Sequence, residues 1–433
     1  AEPLSGDGGA AWLADLWRSY AGWRRWFPFM GEALVATPDD LACFLKWGGI
    51  RAREIQTQTL ALKGPGLTGT PAAPDAYARV QALQESAHAY TRLMHWGYFP
   101  GRTPPDAASR QLRKAVVDLL RYSRAAEDGA MSPVPTRTEF SKSLTGEEPQ
   151  SRMSPELHAR MLRRFHDAAR KVLSSEAPGG GSSAYRWILP SPAAAPSADT
   201  VRSHGELVAG LRDCFADGLR GVYWDDLYRS YIVLEDAAVE DHALSVMLGK
   251  WARARAGSSR PGPLPVVVSR SLFAAWRRLP YLECPTSFLD LSGPAEWSNA
   301  GAAFANCRQF RWGPAETAPP PADAFVRRLA LESAANLRLT WRLLGSPANR
   351  LSSVYVLHYL FSRTLGLRLL LEKGVAASFF DLDALMSLYR EHFPETGKAL
   401  ELPPPEEWLR SPQQAFFARY GFLDERISLL GNE

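Results

Sequence analysis

Val354-Tyr355-Val356-Leu357-His358-Tyr359-Leu360-Phe361-Ser362-Arg363-Thr364-Leu365-Gly366-Leu367-Arg368-Leu369-Leu370-Leu371 is the most apolar run of the chain. Whether it belongs to lipid or to a protein core decides the fold. A membrane-spanning helix needs about 20 predominantly apolar residues. Here His358, Arg363, Thr364 and Arg368 interrupt the run, so it reads as a helix buried in a protein core, and no membrane span is expected. His358, between Leu357 and Tyr359, is most simply a hydrogen-bonded core histidine.

Apolar residues elsewhere recur mainly at helical spacing. Trp12, Leu16, Trp17, Tyr20, Trp23 and Phe27 mark an amphipathic helix closed by Pro28. Thr37-Pro38-Asp39-Asp40 reads as an N-cap followed by proline at the first helical position, starting a helix that runs to about Trp47. Ile55 to Leu62 alternates Thr with aliphatic residues and is the strand candidate of the first half. Helices are expected over 75–96, 106–125, 154–174, 204–217, 222–234, 237–255, 269–278, 321–345, 350–372, 380–392 and 404–420. Val266-Val267-Val268 suggests a short strand, and 281–320 reads as irregular.

Residues 176–200 break this pattern with Gly, Ser, Pro and Ala, and lack the apolar surface to fold by themselves. Tyr185-Arg186-Trp187-Ile188-Leu189 sits inside that stretch, as a short anchor that docks on one lobe would. The expected fold is therefore all-α with a few short strands. It has an N-terminal lobe over 1–175, a linker with a docked segment over 176–203, and a C-terminal lobe over 204–433.

Composition narrows the function classes. The 433 residues suffice for two or three domains with a substantial core. Arginine supplies 42 of the 50 basic residues and lysine eight, the skew of a GC-rich genome, so arginine clusters and Ala-Pro tracts carry less functional weight than usual. A net charge of +4 is small for this length, and a nucleic-acid contact would have to be local. Cys43, Cys214, Cys284 and Cys307 form no CxxC pair and no glycosylation acceptor occurs, which suits a reducing compartment. The chain starts at Ala1 without an apolar leader and reads as an internal fragment.

Candidate chemistry is sparse, and each signal has a structural reading beside it. Gly64-Pro65-Gly66-Leu67-Thr68-Gly69 spells GxGxxG, but Pro71 and Pro74 delay the helix whose amides would hold a pyrophosphate. An ordinary Gly/Pro loop is the better reading, and no cofactor is expected. Asp225, Asp226, Glu235, Asp236, Glu240 and Asp241, with His242, form the best metal or acid–base candidate, since Asp236 and Glu240 share a helix face at i, i+4. Helix starts and a solvated corner account for the same acids, so no metal or catalytic residue is assigned. The eight histidines form neither HExxH nor a His/Cys ligand spacing, and no GxSxG or P-loop occurs.

Arg160, Arg163, Arg164, Arg170 and Lys171, with His166, make one basic helix, and Arg110, Arg113, Lys114, Arg121 and Arg124 another. Such faces engage phosphates or an acidic partner; solvated surface is the plainer reading. The chain has 14 tryptophans, of which Trp12, Trp17, Trp23 and Trp26 crowd one segment. That density marks a helix that packs on another chain or, equally, one that caps the core.

Three segments carry a resemblance. Ala33-Leu34-x-x-Thr37-Pro38-x-Asp40, then Gly101-x-x-Pro104-Pro105-x-x-Ala108, then Arg137-Thr138-x-Phe140 resemble, in order and approximate spacing, the alphaherpesvirus tegument phosphoproteins encoded by the adjacent forty-sixth and forty-seventh unique-long genes, the latter type being favoured. The similarity spans about residues 30–170. It implies a non-enzymatic protein of the virion layer between capsid and envelope, present in host nucleus and cytoplasm. Partners implied are other tegument proteins and the virion transactivator, in support of virion assembly and viral gene expression. RNA contact is implied only for an Arg-rich region preceding Ala1, and the resemblance transfers no catalytic residues. The other readings are a metal-dependent enzyme using the Asp225 to His242 cluster and a bacterial helical effector or regulator.

Overall fold

The computed structural model describes residues 6–27, 33–58, 78–83, 85–87, 89–90, 105–128, 155–175, 186–188, 198–224, 230–241, 266–278, 311–312, 323–345, 353–377, 382–396 and 411–432. In chain order the helices are α1 (Gly6–Trp26), α2 (Pro38–Trp47), α3 (Gly49–Gln58), α4 (Pro105–Asp128), α5 (Pro155–Ser175), α6 (Ala198–Phe215) and α7 (Asp236–Glu240). They continue with α8 (Arg270–Arg278), α9 (Asp323–Thr340), α10 (Ser353–Lys373), α11 (Leu382–His392), α12 (Pro412–Ala418) and α13 (Tyr420–Ser428). The strands are β1 (Arg186–Ile188), β2 (Leu219–Trp224), β3 (Ser230–Leu234), β4 (Val266–Ser269), β5 (Arg311–Trp312) and β6 (Val375–Ala377). The fold is mostly α, with short strands. No helix among the described residues is long and apolar enough to cross a membrane.

Two compact units form, one from Ala1–Arg53, Ser182–Pro190 and Asp323–Glu433, the other from Glu54–Gly181 and Ser191–Ala322. They interleave along the chain instead of following one another as lobes over 1–175 and 204–433. In the first unit, α2 packs on α9, α1 on α13, and α10 on α9 and α11. The apolar run quoted above is the core of α10, where Leu360, Phe361, Leu365, Leu367, Leu369 and Leu370 are buried.

Its polar interruptions are accommodated locally. Thr364 donates its hydroxyl to the Leu360 carbonyl at 2.6 Å. Arg368 reaches Glu372 at 2.7 Å and the Tyr389 hydroxyl at 2.7 Å, with its guanidinium over the Phe393 ring at 4.4 Å. Burial pushes the Arg363 guanidinium down to about 9. The side chain of His358 is outside the described residues.

Gly374 closes α10 with φ 65, a left-handed conformation suited to glycine. Its N–H bonds Leu370 and its carbonyl accepts the Arg186 N–H at 2.8 Å. That bond opens the parallel pairing of β1 with β6, in which Trp187 stands opposite Ala376. The anchor inside the Gly/Ser/Pro stretch is thus a docked strand, and α6 already begins at Ala198, within the expected linker.

In the second unit α4 packs on α5, and α5 on α7 and α8. A four-stranded sheet runs β4-β3-β2-β5, with β3 parallel to β4 and the other pairs antiparallel. Two expectations are corrected here. Residues 222–234 do not form a helix: Val222 and Ile232 pair across β2 and β3, both fully buried. β-Branched and aromatic residues pack better on a pleated sheet than on a helix. Ile55 to Gln58 are helical, since α3 restarts directly after α2 with the Ala52 N–H on the Gly48 carbonyl at 3.2 Å. Residues 59–62 fall outside the described set. The expected 237–255 helix is described only as α7, and 404–420 only as α12, which α13 follows.

Candidate interaction surface

The tryptophan-rich helix α1 has two faces that differ in kind. Leu13, Trp17 and Tyr20 are buried, and the Trp17 indole N–H donates to the Arg342 carbonyl at 3.1 Å. Trp17 therefore belongs to the core and leaves the partner-facing set. Trp12, Trp23 and Trp26 are 40%, 53% and 82% exposed, and Phe27 is 49% exposed. At about 100° per residue, Trp12, Leu16, Trp23, Trp26 and Phe27 fall in one strip about 100° wide beside the buried face. Single exposed apolar residues are ordinary; a strip of them is an association surface in waiting.

The basic helix α5 is amphipathic as expected. Met161, Leu162, Phe165, Ala168, Ala169 and Val172 are buried, and Arg160, Arg163, Arg164, Arg170 and Lys171 are exposed. Acids break up its charge: Arg164 pairs with Glu127 at 2.9 Å and Arg170 with Asp167 at 2.9 Å. The second basic helix loses a member. Arg121 of α4 is buried and ion-paired with Glu54, which also accepts the Tyr122 hydroxyl at 3.0 Å. The side chains of Arg110, Arg113 and Lys114 lie outside the described residues.

The acidic cluster turns inward. Asp236 and Glu240 do share one face of α7, and that face meets His166, which is wholly buried. Glu240 lies 2.7 Å from the imidazole Nδ1, and Asp236 lies 3.9 Å from Nε2. Asp236 also accepts the Ser271 N–H at 2.9 Å and its hydroxyl at 2.5 Å, while Ser269 accepts the Leu272 N–H at 3.2 Å. Free amides in the first turn of α8 are satisfied in this way. Glu235 is held by Arg220 and Arg270. These acids clamp α5, α7 and α8 together in place of a solvated corner. Asp225, Asp226, His242 and the Gly64 to Gly69 motif are outside the described residues. Among those described, no group of three or more His, Cys, Asp or Glu could hold a metal ion.

The most elaborate polar constellation was not legible as a group in the sequence. Thr37 and Asp40 form a capping box: the Asp40 N–H donates to the Thr37 hydroxyl and the Thr37 N–H to the Asp40 carboxylate, each at 3.1 Å. The same carboxylate, 2% exposed, receives Arg338 Nε at 3.0 Å and Arg342 Nη1 at 2.6 Å. Arg342 continues to Asp424 at 2.7 Å and to the Tyr420 hydroxyl at 3.1 Å. Burial works to raise the Asp40 carboxyl, but the Arg342 charge and hydrogen bonds from Thr37 and Arg342 hold it below the usual carboxylate range. Burial raises Asp424, against the pull of Arg342. Cys43, a free thiol beside this network, is likewise raised by burial. The arrangement joins α2, α9 and α13 and offers no open position for a ligand.

Against known proteins, the chain matches no family model, no curated protein and no solved structure. The exposed strip of α1 is accordingly the surface on which a functional reading rests.

Proposed function

We propose that this chain is the folded core of a non-enzymatic virion tegument protein that acts by binding other virion proteins, with the aromatic strip of α1 as a contact surface. The observation that carries the reading is the exposure of Trp12, Trp23 and Trp26 on a helix whose opposite side is already anchored by Trp17. Tryptophan and arginine are the residue types that dominate binding energy at protein interfaces. The viral assignment is supported by the three segments that resemble the alphaherpesvirus tegument phosphoproteins. From that resemblance the partners are other tegument proteins and the virion transactivator, met in host nucleus and cytoplasm and in the virion, to the benefit of assembly and viral gene expression.

The acids that an enzyme would have used are engaged in packing α5, α7 and α8, which favours the binding reading over the metal-dependent one. Affinity purification of the tagged chain from infected cells, read by mass spectrometry, tests the proposal. Tegument proteins should co-purify with the wild type and fall away with W23A/W26A. An identical set of partners with both would overturn it.

A further inference from the structure

The C-terminal half of α1 combines its aromatic residues with uncompensated charge. From Trp17 to Trp26 there is no acidic residue, and Arg18, Arg24 and Arg25 lie among the aromatics. Arg18 is taken by Asp15. Arg24 and Arg25, in the last turn beside Trp23 and Trp26, have no acidic partner among the described residues. Their place at the helix C-terminus suits the helix dipole, but the dipole leaves both guanidinium groups able to take a carboxylate.

We infer that the strip from Trp12 to Phe27 receives an acidic amphipathic helix of a partner protein, with apolar residues over Trp12, Trp23 and Trp26 and carboxylates over Arg24 and Arg25. This rests on the proposed function and specifies its partner. Length, area and charge support the choice. Fifteen residue steps at 1.5 Å span about 22 Å, four turns of a facing helix. At up to ~250 Å² per fully exposed aromatic, the exposed fractions amount to roughly 500 Å².

A second copy of α1 docked by this strip alone would bury about 1,000 Å² in total, short of the ~1,200–2,000 Å² of stable interfaces. It would also bring no free carboxylate to Arg24 and Arg25, because Asp15 is occupied. An anionic bilayer is typically bound by clusters of about 4–8 basic residues. The middle of the strip is polar, with Asp15, Arg18 and Ser19 exposed. Aromatic ends around a polar middle fit discrete side-chain contacts on a helix.

The test uses the full chain and a fluorescein-labelled synthetic peptide of about 16 residues, with Leu and Phe at i, i+3, i+4, i+7 spacing and Asp and Glu on its flanks; a second peptide carries Lys in place of the acids. The acidic peptide should bind the wild type, lose at least about tenfold in affinity against R24E/R25E, and lose binding against W23A/W26A. The basic peptide should bind R24E/R25E better than it binds the wild type. No binding of the acidic peptide, or equal binding of both peptides, overturns the inference. Trp26-dependent sedimentation with phosphatidylserine vesicles, or self-association abolished by W23A/W26A, would assign the strip to a bilayer or a second copy and would equally overturn it. Tegument partners retained by R24E/R25E but lost by W23A/W26A would defeat the acidic partner while leaving the proposed function standing. Partners unaffected by W23A/W26A would defeat the function itself.

Discussion

Asp40 serves as a helix cap and as the anion of a buried ion network with the same carboxylate. Removing it strands Arg338 and Arg342, each 2% exposed at the side chain, without their shared counter-charge. Breaking one side of a buried pair costs about 3–5 kcal/mol, and D40A should lose that much in urea unfolding followed by tryptophan fluorescence. The pH dependence has a definite sign. A carboxyl held below its unfolded value contributes stability that is present above about pH 4 and lost as pH falls through the folded value. The advantage of wild type over D40N should therefore be full at pH 7 and shrink below about pH 4; an advantage unchanged down to pH 2 would contradict the lowered Asp40. Asp424, raised by burial, acts in the opposite sense, since its protonation on acidification favours the folded state. Ala216 is a separate case. It adopts φ 41 after α6, a conformation that costs a non-glycine residue about 1–2 kcal/mol. A216G should raise stability by about 0.5–1 kcal/mol in the same assay, the greater freedom of unfolded glycine offsetting the rest.

Helix α1 separates core from surface within a few residues, and paired substitutions should show it. W17A is expected to cost about 3–5 kcal/mol, whereas W26A should stay within about 0.5 kcal/mol; equal effects in thermal unfolding would mean that the two faces are misassigned. Elements whose apolar residues keep one period were legible in the sequence. The Thr37-Pro38 start of α2, the anchor that became β1, the valines of β4 and the apolar α10 all follow from local chemistry. The segment 222–234 was not, because Tyr223, Leu227, Tyr231 and Leu234 also fall at helical spacing, and Asp225-Asp226 reads as a helix start as readily as a break between strands. Strand pairing with Val266 to Ser269 is a long-range event, and no local window carries it. The same holds for the candidate site. The crowding of Trp12, Trp17, Trp23 and Trp26 was visible, but which indole faces inward depends on Arg342, more than 300 positions away. The partners of Asp40 are hidden for the same reason.

Across the whole molecule, the N-terminal helices and the C-terminal third build one unit and the middle of the chain another. The composition break near 176–200 thus marks where the chain passes through the first unit as a single strand, and is not a simple hinge between consecutive lobes. Arginine excess alone would have suggested a nucleic-acid surface. In the structure buried arginines such as Arg338, Arg342 and Arg368 are structural cations, and the outer face of α5 is partly neutralised by acids. What remains distinctive is the exposed aromatic strip with two free arginines at its end. Hydroxyl-radical footprinting of Trp23 and Trp26 in the purified chain and in assembled virions tests the central claim most directly. Both tryptophans should oxidise readily in the purified protein and be strongly protected in the virion, with Trp17 protected in both. Equal oxidation of Trp23 and Trp26 in the two states would contradict a role for α1 in binding virion proteins.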